Sequence, residues 1–274
     1  SQLQHDGAVQ TELAIEALLR GDNPYVVDYG FTHLKDVPFF LDIPNPALPH
    51  YVYLPANFLL PLPLHVISKK ILGFFDLRLI YLLWFALWYW AIIRVSQTER
   101  QKYLLLVVTI FNPMFQFYFI QGSQNDIPII AGLWWIFILF QQKRPWLAAF
   151  LWGLVCATKH TGPVITPLVF LALLQLWGDW FRTTKWLVVA VLCGLIFVGP
   201  FLMWDFGAFW QDTVSYVTGG TKSAYPVCGV SLAALLQRSG LVSKTTAATI
   251  PRYTLPIVIL VFLFLCKRQY GKSD

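Results

Sequence analysis

From residue 78 to the C-terminus the chain is a succession of apolar segments, at 78–95, 103–120, 127–140, 146–158, 162–177, 186–204 and 254–266. A bilayer-spanning helix needs roughly 17–25 apolar residues. The segments near 127, 146 and 254 are short for a perpendicular crossing, so interfacial aromatics or paired dips carry part of their length. Only 12% of the residues are charged, against about 25% in an ordinary soluble domain. With 57% hydrophobic residues, 12 Trp, 12 Tyr and 22 Phe, the composition excludes a soluble globular domain and a disordered chain alike. The net charge of +6 is scattered between apolar runs, which reads as membrane topology rather than as a face for nucleic acid. The expected fold is all-α, a polytopic integral membrane helical bundle of about seven segments.

Ahead of that bundle lies a polar portion. Residues 7–20 place Val9, Leu13, Ala14, Ala17 and Leu18 on one helical face, with Glu12, Glu16 and Arg20 opposite, and Gly21-Asp22-Asn23-Pro24 stops the helix. The run 54–67 is apolar but carries Pro55, Pro61 and Pro63, whose missing backbone donors argue against an ordinary membrane helix. Excluding it gives odd parity. Arg94, Arg100, Lys102, Lys143, Arg144, Arg182, Lys185, Lys267, Arg268 and Lys272 then fall inside, as the positive-inside rule requires. All 14 acids except Glu99, Asp179 and Asp274 fall outside. The expected division is 1–53, an outer-face amphipathic helix and loop; 54–204, the membrane core; 205–253, an outer-face connection; and 254–274, the last membrane helix and basic inner tail. Cys156, Cys193, Cys228 and Cys266 show no metal or disulfide spacing. The sequence opens at Ser1 on a polar helix, so a first membrane helix is expected to precede it in the full protein.

The outer side holds the candidate chemistry. Asp6 can take a proton from an acceptor hydroxyl as a general base, or simply cap the helix that follows it; His5 beside it is a second acid–base or binding group, or merely solvated. Asp126 closes the Gln121–Asp126 loop, which includes Gln124, and precedes Ile127-Pro128. It reads as an N-cap, or as a functional acid between two apolar segments. Lys159 and His160 end an apolar segment. A cation there complements the helix dipole or clamps a lipid phosphate. Tyr51, Tyr53, Asn57 and His65, with Trp204, Asp205, Trp210, Tyr216, Lys222 and Tyr225, are expected either to line a groove for a sugar or lipid headgroup or to be ordinary interfacial residues. No Walker, GxSxG or HExxH pattern is present.

Asp6-Gly7-Ala8-Val9-Gln10, then Ala14 to Tyr25 with Gly21-Asp22-Asn23-Pro24-Tyr25, then Tyr51-Val52-Tyr53-Leu54-Pro55-Ala56 resemble the first outer loop of GT-C fold, polyprenyl-phosphate-dependent glycosyltransferases, with Ala56 in place of the second proline of a Y-x-P-P run. Asn112-Pro113, Gln121 to Asp126 and Ala157-Thr158-Lys159 resemble the later motifs of protein O-mannosyltransferases and aminoarabinose transferases. The resemblance implies a mannosyltransferase-like enzyme of the plasma, inner or endoplasmic reticulum membrane, with its active face outside or lumenal. Its donor would be a polyprenyl-phosphate-linked sugar, drawn from among the membrane lipids. Asp6 matches the family's catalytic aspartate, Asp126 the second outer-loop acid, and Lys159 a phosphate contact; His5, Tyr53, Gln124 and His160 are the further substrate-binding candidates. Some relatives use a divalent metal and others do not, and no ligand set in this sequence decides between them. The rival reading is a transporter or flippase for a lipid-linked or sugar substrate, which would place polar groups at mid-membrane on repeated, broken helices. This chain gathers its acids at one face.

Overall fold

The structure is a computed structural model that describes residues 5–37, 45–218, 220, 227 and 231–270, and helices are its only regular elements among them. Helix α1, Asp6–Arg20, ends where Gly21 adopts φ 90°. The Gly21 and Asp22 N–H groups then return to the Leu18 and Ala17 carbonyls, both at 3.0 Å, a closure that favours glycine. The buried face of α1 is broader than its apolar stripe, taking in Gln10 and Thr11 as well as Leu13, Ala14 and Ala17. After two 3-10 turns the proline-rich run breaks into α2, Ala56–Leu59, and α3, Leu62–Leu72. Neither is long enough to cross a bilayer.

The apolar segments follow as α4, Arg78–Val95; α5, Glu99–Val108, with α6, Pro113–Gln121; α7, Ile127–Gln141; α8, Pro145–Cys156; α9, Thr161–Trp177; α10, Trp180–Trp204. Helices α5 and α6 form a single segment bent by 49°, because Pro113 supplies no N–H and the Asn112 side chain accepts from the Met114 N–H instead. Helix α4, helix α10 and the stretch Thr245–Leu265 are long and apolar enough to span a membrane, and the bent pair makes a fourth. Helices α7, α8 and α9 are shorter and equally apolar.

The connection after α10 is more helical than its sequence suggests. It contains α11, Phe206–Trp210, a π-helical turn Gln211–Ser215 and α12, Leu232–Arg238. The last helix, α13, Lys244–Tyr270, begins ten residues before the expected position 254, because its polar first turns continue the helix through Pro251 and Pro256.

Helix α8 packs chiefly on α10, and α7 bridges α4 and α8. The α8–α10 approach is backbone to backbone: a Cβ on Gly153 would stand 2.2 Å from the Ala190 carbonyl oxygen, the small-residue contact typical of membrane helices. A separate aromatic cluster of Tyr25, Tyr29, Tyr51, Phe58, Phe201 and Phe209 fixes the N-terminal portion against the end of α10. Val188, Leu192 and Ile196 of α10, and Ile257, Leu260 and Val261 of α13, are exposed. Apolar surface on that scale is what a bilayer covers.

Candidate functional site

At one end of the bundle the N-terminal portion meets the α6–α7, α8–α9 and post-α10 connections around a cleft of about 420 Å³. His5, Tyr53, Gln124, Asp126, Lys159 and His160 all line it, with Tyr118, Asn125 and Tyr216. Asp6 stands one residue behind the wall. Backbone pairing assembles the cleft: the His5 N–H donates to the Gly122 carbonyl at 3.2 Å, and the Leu54 and Ala56 N–H groups donate to the Thr158 and Ala157 carbonyls at 3.3 and 2.9 Å. A proline at 56 would have no N–H for the second bond. The Tyr53 hydroxyl closes over Gly7, where a Cβ would stand 2.1 Å from it.

The N-cap of α1 is His5, not Asp6: its Nδ1 accepts from the Gly7 N–H at 3.0 Å. The Asp6 carboxylate shares that donor, Oδ1 accepting at 2.9 Å, while Oδ2 accepts from Asn45 Nδ2 at 2.6 Å. His5 Nδ1 and Asp6 Oδ1 are 3.0 Å apart. A carboxylate fixed through both oxygens beside an imidazole on the cleft wall is an oriented proton acceptor.

Asp126 occupies the N-cap position of α7, yet its side chain makes no capping bond. It faces Lys159 instead. Lys159 Nζ donates to Asp126 Oδ1 at 2.7 Å and to Asn125 Oδ1 at 2.8 Å. The two charges are only partly buried, 24% and 31% exposed, so they remain open to a ligand. His160, next in sequence, is shielded, and burial lowers its pKa, keeping the imidazole neutral at pH 7. Its Nε2 is buried with no partner in the protein.

His160 also lines a second cavity, of about 410 Å³, between α8, α9, α10 and the π-helical turn; Gly153, Cys156, Leu187, Val191, Gly194 and Leu195 make most of its wall apolar. Val191 and Leu195 lie on the exposed face of α10, so this groove reaches the outer surface of the bundle.

Of the other groove candidates, Tyr51 and Asn57 are interior instead. Asn57 Nδ2 donates to the Tyr51 hydroxyl at 3.1 Å and to Thr11 Oγ1 at 3.0 Å. His65 is likewise buried, against Phe75, and burial lowers its pKa. Lys222 and Tyr225 lie outside the described residues. Sequence reasoning missed Asn45 as the partner of Asp6, and missed the buried pair behind the cleft. There His50 Nδ1 lies 2.7 Å from Asp212 Oδ1, the Tyr51 N–H donates to Asp212 Oδ2 at 2.8 Å, and the His50 ring sits 4.5 Å from that of Tyr216. Burial pushes the Asp212 pKa up to about 6. Among the described residues no group of three or more His, Cys, Asp or Glu side chains converges as metal ligands would, so no step is assigned to a metal.

A family model described as glycosyltransferase family 87 matches residues 51–272. Neither a curated protein nor a solved structure matches the chain.

Proposed function

The chain belongs to glycosyltransferase family 87 and is a membrane glycosyltransferase; from that premise we propose that it transfers a hexose, of the mannosyl type, from a polyprenyl-phosphate-linked donor to an acceptor hydroxyl, as GT-C enzymes do. The observation that carries this reading is the meeting of two environments at His160. A polar cleft holding Lys159 and Asp126 opens there onto an apolar groove facing the membrane. A sugar phosphate on a hydrocarbon chain has those two halves in that order.

In this mechanism the acceptor oxygen attacks the anomeric carbon, the bond from that carbon to the phosphate oxygen breaks, and the phosphate leaves with the electron pair. Asp6 takes the acceptor proton. Lys159 offsets the charge that grows on the leaving phosphate, Asp126 and Asn125 hold the lysine, and His5, Tyr53, Gln124 and His160 contact the substrates. The helices cross the membrane several times, with the cleft at the outer or lumenal end. Residues 1–53 and 205–253 are its outer-face cover, 54–204 the membrane core, and 254–274 the last helix and inner tail.

The test is polyprenyl phosphate release from a panel of polyprenyl-phosphate sugars, in membranes holding the full-length protein, wild type against Asp6→Asn at equal expression. Release abolished by the substitution is expected. No release from any donor, or release indifferent to Asp6→Asn, overturns the reading.

A further inference from the structure

At the opposite end of α1 from the cleft, the turn that stops the helix and the junction of α10 with α11 enclose a separate hollow of about 460 Å³, lined by Asp22, Asn23, Val26, Val27, Trp204 and Asp205. Fifteen residues of helix place it about 20 Å from Asp6. We propose that this hollow is a saccharide subsite, in which a neutral sugar ring of a glycan lies on the Trp204 indole and hydrogen-bonds with Asn23, Asp22 and Asp205.

Four observations support it. Asn23 is only 8% exposed. Its Oδ1 accepts from the Tyr25 N–H at 3.1 Å, while its Nδ2 is buried without a partner, and an amide left so is costly unless a ligand or water completes it. Trp204 is half exposed but held in place, stacked on Phe201 at 6.1 Å and 29°; Phe201 is in turn packed edge-on against Tyr25 at 5.8 Å. A fixed aromatic face with one polar rim suits the C–H face of a pyranose. The carboxylates have capacity to spare: Asp205 Oδ1 accepts from the Ala208 N–H at 2.9 Å and Asp22 Oδ2 from Arg20 Nε at 3.2 Å, leaving further acceptor positions on both. Hydroxyl groups donate and accept at once, so they satisfy the amide donor and the carboxylates together, whereas two carboxylates repel a phosphate or another anion.

The site rests on no assumption about the reaction in the cleft, and its test reads binding rather than turnover. The full chain in lipid nanodiscs is titrated with neutral trisaccharides (mannotriose, maltotriose, cellotriose) and followed by saturation-transfer NMR. At least one trisaccharide is expected to bind. Trp204→Ala and Asn23→Asp should weaken it by about tenfold or more, Trp204→Phe should retain most of it, and Asp126→Asn, in the cleft, should leave it unchanged. The proposal is overturned if no trisaccharide binds, if Trp204→Ala has no effect, or if Asp126→Asn abolishes binding, which would put the sugar in the cleft. It is equally overturned if calcium, and not sugar, perturbs the site in an Asp205-dependent way.

Discussion

The Lys159 ammonium carries three protons and has two acceptors among the described residues, Asn125 and Asp126, so a third N–H can point at a ligand. Lys159→Met should therefore raise the donor KM by about tenfold or more. Asp126→Asn should do so by less, and the double variant should fall short of the sum of the two; a double-mutant cycle on sugar release measures this. Asp212 gives a second test. Its pKa of about 6 when folded exceeds the ordinary carboxylate value of about 4, so between those values the folded chain holds a proton that the unfolded chain releases. Its contribution to stability is complete below about pH 4 and declines as the pH rises through about 6. Thermal unfolding followed from pH 4 to 7 should show that decline, and Asp212→Asn should flatten it. Neither the Asp212–His50 pair nor the Asn45 contact was legible in the sequence. His50 and Asp212 are 162 positions apart, and no local spacing encodes a pairing across that interval. Asp126 was legible as a candidate because an acid between two apolar runs is conspicuous, though its partner Lys159 became evident only in the structure.

Helix boundaries were readable wherever a cap or a proline announces them, as at Gly21, Asn112-Pro113 and Gly178. They were misread at the start of α13, where Thr245, Thr246 and Thr249 look like loop and Pro251 and Pro256 look like breaks. The side chains of Thr249 and Thr254 donate to the Thr246 and Ile250 carbonyls at 2.8 and 3.0 Å, so polar side chains are accommodated within that helix. The α8–α10 crossing was invisible beforehand, because Gly153 and Gly194 are ordinary small residues until two backbones meet. Gly153→Ala pushes a methyl into the Ala190 carbonyl and should cost about 1–3 kcal/mol, read as a lowered unfolding midpoint in detergent. Ala56→Pro removes the donor to Ala157 and should loosen the cleft floor by about 1–3 kcal/mol. If it leaves both stability and donor release unchanged, the 54–56 to 157–158 pairing is not what holds the cleft together.

Across the whole molecule the charge asymmetry and the geometry agree on two unlike ends. The cleft end collects Asp6, Asp126 and Asp212. At the other, the Trp186 indole donates to the Pro145 carbonyl at 2.7 Å and the Arg182 guanidinium lies 4.5 Å from the Trp177 ring, joining the loops that carry Lys143, Arg144 and Lys185. Single cysteines at Gln124 and Lys143, in a background without Cys156, Cys193, Cys228 and Cys266, should react with an impermeant maleimide from opposite sides of the membrane; reaction from one side would refute the topology. The apolar groove beneath His160 has a wall formed partly by outward-facing α10 residues and so is open along its flank. A donor held there never has to leave the bilayer, and most of its tail trails beyond the protein. Such an enzyme is indifferent to how many isoprene units follow the first few. It also meets its substrate by two-dimensional diffusion, so its rate follows the density of donor in the leaflet and not its amount per volume of suspension.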